Sequence, residues 1–201
     1  GLRKMTTGKI EFLGQDISKM TTKQRRELSL GYIPADRLKS AMIPSMSLTM
    51  NMCINKPDQA PFGTKWALNQ KSITEYTERK MKEFNVVAKS SGEVGGNLSG
   101  GNQQKLVLAR ELGEKVDLVI AVYPTRGLDI DATHFVFDTM LKARDEGAAV
   151  LYISTELEEI LQLSDRIGVL YEGRLQGIMP QQEAEVTKIG LMMAGREVEV
   201  K

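Results

Sequence analysis

The chain is 201 residues long, 41% hydrophobic and 26% charged, with 27 lysines and arginines against 26 aspartates and glutamates. That length can bury a core in one domain, or one domain with a subdomain, and a formal net charge of +1 argues against a nucleic-acid or anionic-membrane surface. One cysteine, Cys53, excludes an internal disulfide framework and fits a reducing compartment. No apolar run approaches the roughly 20 residues that span a bilayer, and no secretory signal opens the chain, so a cytosolic location is expected.

The sequence begins Gly1-Leu2-Arg3-Lys4, without an initiator methionine, and Gly8-Lys9-Ile10-Glu11-Phe12 alternates like a strand closing on Gly14. Thr21 to Leu28 reads as a short exposed helix, its basic cluster a solvated face rather than a binding patch. Leu30-Gly31-Tyr32-Ile33 is a strand stopped by Pro34. From Ser40 to about Val87 the character changes: Met42, Met46, Leu48, Met50, Met52 and Ile54 form a Met-rich segment, and a loop runs from Pro57 to Gly63. Methionine adapts to irregular partner surfaces, but at helical spacing the core reading is preferred. Trp66 carries no readable role. Ser72-Ile73-Thr74-Glu75 has the form of a capping box, with Ile73, Tyr76, Met81 and Phe84 on one helical face behind it.

Asn97-Leu98-Ser99-Gly100-Gly101-Asn102-Gln103-Gln104-Lys105 leads directly into a helix-forming run that stops at Gly113. A serine and two glycines therefore sit at a helix N-terminus, where unpaired N–H groups, a positive partial charge and a hydroxyl donor suit a phosphate. The alternative is an ordinary Ser-Gly-Gly turn capping an amphipathic helix. Val116 to Val122 is an apolar run bounded by turn residues, read as a buried parallel strand emptying into Tyr123-Pro124-Thr125-Arg126-Gly127-Leu128-Asp129. Asp131 to Arg144 is helical, with Val136, Met140 and Ala143 on one side and Gly147 as its stop. His134, the only histidine, has no neighbouring Cys or His and reads as a surface or packing residue. Ala148 to Ile153 is the next buried strand and Glu156 to Leu163 the next helix. Ile167 to Tyr171 and Arg174 to Ile178 flank a Glu172-Gly173 hairpin turn, and Pro180 opens a tail with a helix from Glu183 to Ala194. Strands alternating with helices predict an α/β fold with a parallel sheet.

LSGGNQQK followed by an apolar strand and PTRGLD resembles the ATP-binding subunit of ABC transporters, over essentially the whole chain. The resemblance implies a P-loop NTPase-like sheet with an inserted helical subdomain. Its segments would be 1–39, the start of the core with the Q-loop region; 40–112, the helical subdomain with the signature; and 113–201, the core with the Walker B strand, D-loop, switch region and C-terminal hairpin and helix. Leu98, Ser99, Gly100, Gly101, Asn102 and Gln103 would be the signature, contacting ATP in trans, and Gly127, Leu128 and Asp129 the D-loop. The family works with ATP and Mg²⁺. It pairs with a second nucleotide-binding domain and transmembrane permease subunits, and indirectly with an extracytoplasmic substrate-binding protein, at the cytoplasmic face of the membrane. No nucleic-acid partner is implied.

Several family positions depart from the pattern. No G-x-x-x-x-G-K-[ST] occurs in the sequence, so a piece lying downstream of the P-loop is expected, and a natural domain without one is the alternative. In GYIPADR, Ala35 stands where the family's Q-loop carries Gln or Glu. Val122-Tyr123-Pro124-Thr125 replaces Asp-Glu-Pro-Thr, and Ser154-Thr155 replaces the switch Ser-His. Ala35, Val122, Tyr123 and Thr155 therefore mark a catalytically degenerate site with no metal ligand, and the chain alone is expected to be inactive. LSGGNQQK with PTRGLD further resembles the second nucleotide-binding domain of bacterial sugar and nucleoside importers. The alternatives are a soluble ABC protein of DNA repair or translation, and a stand-alone α/β interaction module. Repair types interpose a long coiled coil absent between Ala35 and Ser99, and translation types keep both carboxylates.

Overall fold

The computed structural model describes residues 2–196; Gly1 and residues 197–201, included in the first and last expected segments, lie outside it. The chain divides into two compact units, residues 1–151 and 152–201.

The first unit opens with a two-residue antiparallel hairpin, β1 (Glu11–Phe12) and β2 (Gln15–Asp16), turned through Leu13 and Gly14 at positive φ. Helix α1 (Thr22–Arg26) buries none of its residues and starts in a capping box between Thr21 and Gln24. Strand β3 (Leu30–Ile33) runs parallel to β4 (Leu118–Val122), with Leu30 opposite Leu118 and Ile33 opposite Ala121. The strand order is β3-β4-β5, with β5 spanning Ala149–Ile153; the Ala149 amide donates to the Asp117 carbonyl. The parallel sheet agrees with expectation. Its burial does not: β4 alternates, with Val119 and Ala121 sealed and their neighbours half-buried, and Leu151 on β5 is 51% exposed.

Between β3 and β4 lie α2 (Leu48–Cys53), α3 (Gln70–Glu83) and α4 (Gly100–Leu112), which pack on one another. Helix α4 is the central element, with Leu106, Val107, Leu108 and Ala109 all buried. Burying Leu106 and Leu108 contributes roughly 2 kcal/mol each. Met42, Met52 and Met81 are core residues, whereas Met46 is exposed. Helix α3 begins three residues earlier than the capping-box reading placed it. Asn69 is the cap and accepts from the Ser72 amide, so Ser72 lies inside the first turn. The expected face holds, since Ile73, Tyr76, Met81 and Phe84 are all buried. Helix α5 (Ile130–Asp145) is capped by Asp129, and His134 lies exposed on it with its ring edge-on to Phe137.

In the second unit, α6 (Leu157–Leu163) and α7 (Val186–Met193) accompany the hairpin of β6 (Arg166–Tyr171) and β7 (Arg174–Pro180). Ile167, Val169, Met179, Ile189 and Met192 form its core. Glu172 and Gly173 make the turn, both at positive φ. Pro180 belongs to the end of β7, opposite Arg166, rather than to the tail, and α7 begins at Val186 rather than Glu183.

Half-open apolar positions on the strands, together with Leu151 and an Ile130 that is 75% exposed, favour association with other surfaces. The isolated chain should therefore self-associate or unfold at low temperature. Light scattering at matched concentration, against the complete protein, reads this; a monodisperse and cooperatively unfolding chain would refute it.

Candidate functional site

Ser99 caps α4 from an extended conformation. Its Oγ accepts from the Asn102 amide at 3.4 Å and from Asn102 Nδ2 at 3.1 Å. Both bonds use oxygen lone pairs, so the hydroxyl proton of this exposed residue is available to an acceptor outside the helix. Asn102 is held in turn, because its Oδ1 accepts from the Val87 amide at 2.8 Å. Leu98 is buried, and Gln103 donates to the Gly95 carbonyl at 3.4 Å. The six signature residues thus form one hydrogen-bonded turn at the amino end of a 13-residue helix, with Ser99 exposed.

The two glycines sit where a side chain would be tight against its neighbours. A Cβ on Gly101 would lie 3.1 Å from Ala132 Cβ of α5, and one on Gly100 would lie 3.2 Å from Arg37 Nη2 and 3.8 Å from the Gly127 carbonyl. The signature and the loop after β4 are therefore neighbours. That loop is two successive turns, Arg126 amide to Tyr123 carbonyl and Leu128 amide to Thr125 carbonyl, with Tyr123 and Gly127 at positive φ. Asp129 Oδ1 then accepts from the Ala132 amide at 2.8 Å, setting the direction of α5.

The segment entering α4 is stitched to the Met-rich segment. Leu48 donates to Glu93, Thr49 to Ser91, Gly95 to Met46 and Gly96 to Pro44. At the centre of this seam is Asn51, 1% exposed. Its Oδ1 accepts from the Ile43 amide, and its Nδ2 reaches the carbonyls of Ile43, Met46 and Ser47. Asn51 is absent from the sequence-based site, and so are Arg37 and Gln104. Arg37 donates from Nη1 to the Arg126 carbonyl at 2.9 Å. Burial pushes its guanidinium below its ordinary pKa, opposed by Asp36, and it remains a cation. Gln104 is 1% exposed, and among the described residues neither its amide oxygen nor its nitrogen has a hydrogen-bond partner. The signal for Asn51 and Arg37 was a polar residue inside an apolar run and a cation directly after Ala35-Asp36.

Val122 and Tyr123 are half-buried at the end of β4, Ala35 is half-buried after β3, and Thr155 is exposed in the second unit. There the preceding Ser154 hydroxyl donates to Glu159 at 2.8 Å. None of the four can act as a carboxylate or imidazole. Among the described residues no group of three or more His, Cys, Asp and Glu is placed to hold a metal ion.

The sequence profile of the ABC transporter family matches residues 1–126. The chain belongs to the ABC transporter family. It is 35% identical over 198 residues to the nucleoside import ATP-binding protein NupA of Lactococcus lactis, covering 98% of this chain and 39% of that protein. It is 37% identical over 195 residues to the guanosine import ATP-binding protein NupO of Bacillus subtilis, covering 97% and 38%. It spans about two fifths of the length of these relatives. A ribose import ATP-binding protein of Bacillus cereus is 32% identical over 197 residues, covering 98% of this chain and 39% of that protein. Among solved structures, the dimeric post-hydrolysis state of the ATP-binding cassette MJ0796 bound to ADP and Pi superposes with a TM-score of 0.73 at 19% identity. The superposition covers 90% of this chain and 76% of that one, and it establishes the shared ABC ATPase fold.

Proposed function

We propose that this chain serves an ABC importer of nucleosides or simple sugars, peripheral to the cytoplasmic face of the membrane, and supplies its signature to the ATP site of a second nucleotide-binding domain. The observation that carries the reading is the asymmetry between two sets of residues. Ser99 is exposed at the start of α4 with a hydroxyl donor to give, followed by Gly100 and Gly101, while Ala35, Val122, Tyr123 and Thr155 offer no carboxylate or imidazole to metal, water or γ-phosphate. The printed functions of the relatives supply the importer class.

The residues fit one part of Mg-ATP and not the other. ATP supplies the phosphoryl group whose transfer to water drives the family's cycle. This chain's part would be to orient that group: the Ser99 hydroxyl and the first amides of α4 would donate to it, and the helix dipole would favour its charge. The local positions after β4 do not fit Mg²⁺, and no step is assigned to them. A cleft of about 430 Å³ opens between the residues before β3 and the ends of α2 and α4. It is lined by Arg26, Asn55, Arg79 and the close Arg110–Glu111 pair at 2.8 Å.

A signature substitution that silences turnover of the assembled transporter, beside a harmless change at Tyr123, tests the reading. A second consequence concerns the chain by itself. A helix end and one hydroxyl are few phosphate contacts beside the P-loop nest and its lysine, so titration calorimetry with Mg-ATP should show at most weak binding. A dissociation constant below about 10 μM, roughly −7 kcal/mol, would contradict it.

A further inference from the structure

Arg37 is built in more firmly than a surface arginine. It opens a single π-type turn, Arg37–Ala41, that follows β3. Asp36 caps this turn, its Oδ1 accepting from the Leu38 and Lys39 amides at 3.1 and 3.0 Å, and the Met42 amide closes it by donating to the Arg37 carbonyl. The backbone that carries the guanidinium is thus held on both sides. From that base the side chain reaches two elements distant in sequence. Nη1 donates to the Arg126 carbonyl, 89 residues away. Nη2 lies 3.2 Å from the position a Cβ on Gly100 would take, and the Gly127 carbonyl bounds the same position at 3.8 Å. Among the described residues Nε is sealed from solvent without an acceptor, and no carboxylate forms an ion pair with this cation. A half-buried, unpaired guanidinium is unfavourable, so burial and charge pairing do not account for its placement. What it does is fill the gap that Gly100 leaves and tie the loop after β4 across it.

We infer that Arg37 is a positioning residue, a clamp that holds the Arg126–Asp129 loop against the amino end of α4 so that the two present a single preorganised surface. The inference rests on the reading of that helix end as a trans ATP contact. In that setting the clamp matters because donors act on a developing charge only if they are already in place. Glycine at position 100 fits this arrangement: a methyl group there would lie 3.2 Å from Nη2, so the guanidinium would have to shift by a few tenths of an ångström, straining the Nη1 bond to the Arg126 carbonyl.

The test uses the complete protein in its membrane assembly, carrying Arg37→Ala, Arg37→Lys, Gly100→Ala and the Arg37→Ala/Gly100→Ala pair. Hydrogen exchange is followed by mass spectrometry alongside steady-state ATP hydrolysis. Arg37→Ala should speed exchange of the amides at 126–129 about tenfold, as expected when a local opening becomes easier. It should lower kcat about tenfold while KM for ATP stays within about twofold. Arg37→Lys should restore part of both, because an ammonium can donate to one carbonyl but cannot span to Gly100. Gly100→Ala should loosen the same amides in the parent and add little in Arg37→Ala, a coupling that reaches the contact from the other side if Arg37→Ala folds poorly. Unchanged exchange in Arg37→Ala and Gly100→Ala, or faster exchange with unchanged kcat, would overturn the clamp. A raised KM with kcat intact would also overturn it, by making Arg37 a direct nucleotide contact. Ser99→Arg is measured in parallel. If it leaves turnover intact, the trans-signature reading falls, and the exchange data alone decide the clamp.

Discussion

Ser99→Arg should remove most ATP turnover from the assembled transporter. Losing one preorganised donor to a developing charge typically costs on the order of 100- to 1,000-fold in rate, and here the replacement also fills the space in front of the helix end. Ser99 is exposed and, among the described residues, its Oγ bonds only within its own turn, to Asn102, so the effect should fall on the site rather than on folding. Gly101→Asp should be comparably damaging, by placing a carboxylate where a phosphate would lie. It carries a packing component as well, because its Cβ would press on Ala132 at 3.1 Å with the Asp129 carboxylate 4.0 Å away. Nucleotide binding to the assembled transporter should survive both. Tyr123→Phe should change turnover by less than about twofold, since it removes only a phenol oxygen from a group with no part in the chemistry. All three are read as steady-state ATPase and transport in one background. Equal damage from Tyr123→Phe and Ser99→Arg would end the account of a silent local site beside a working signature.

Local signals were legible in the sequence. Ser99 as a helix cap, the β4 run, and the Glu172-Gly173 turn all depend on residues within a few positions of one another, and each stands where its pattern puts it. Competing local signals were less secure. Asn69 and Ser72 are both good cap residues, and the earlier one prevails because the Asn69 amide already donates to the Phe62 carbonyl. That fixes the chain's entry, and starting there adds a turn of hydrogen bonds. Pro180 reads as a breaker, yet a proline is tolerated at a strand end; the Gln181 amide donates to Asp165 just beyond it. The apolar run at Ala148–Ile153 shows that a strand forms but not which face is covered, and Leu151 is the half-open result. What could not be read were polar contacts closed only by tertiary structure. Arg37 finds its acceptor 89 residues downstream.

Asn51→Leu should destabilise the complete protein by about 3 kcal/mol, which for a unit of this size lowers the melting temperature by roughly 10 °C. The side chain is buried among four backbone groups of the Ile43–Ser47 turn. A leucine fills its volume but leaves the Ile43 amide buried without an acceptor, and such a donor loses its full desolvation energy. The three carbonyls suffer less, since those of Met46 and Ser47 also accept from the Gly95 and Asn51 amides. Asn51→Asp should be at least as harmful. It keeps the acceptor toward Ile43 but turns a carboxylate oxygen toward three carbonyl oxygens, in a place where an unpaired charge is costly. Met50→Leu, one residue away and half-buried, conserves volume and should shift melting by only a few degrees. The consequence reaches function through the seam. Asn51 Nδ2 lies 3.3 Å from the Cβ position of Gly95, and Gly95 accepts from Gln103 in the first turns of α4. Releasing this turn should therefore lower turnover as well as stability, even though Asn51 touches neither the signature serine nor its glycines. Calorimetric melting and ATPase rates on the three variants decide it: an Asn51→Leu protein that melts within a degree of the parent would show that the Met-rich segment holds its shape by packing alone.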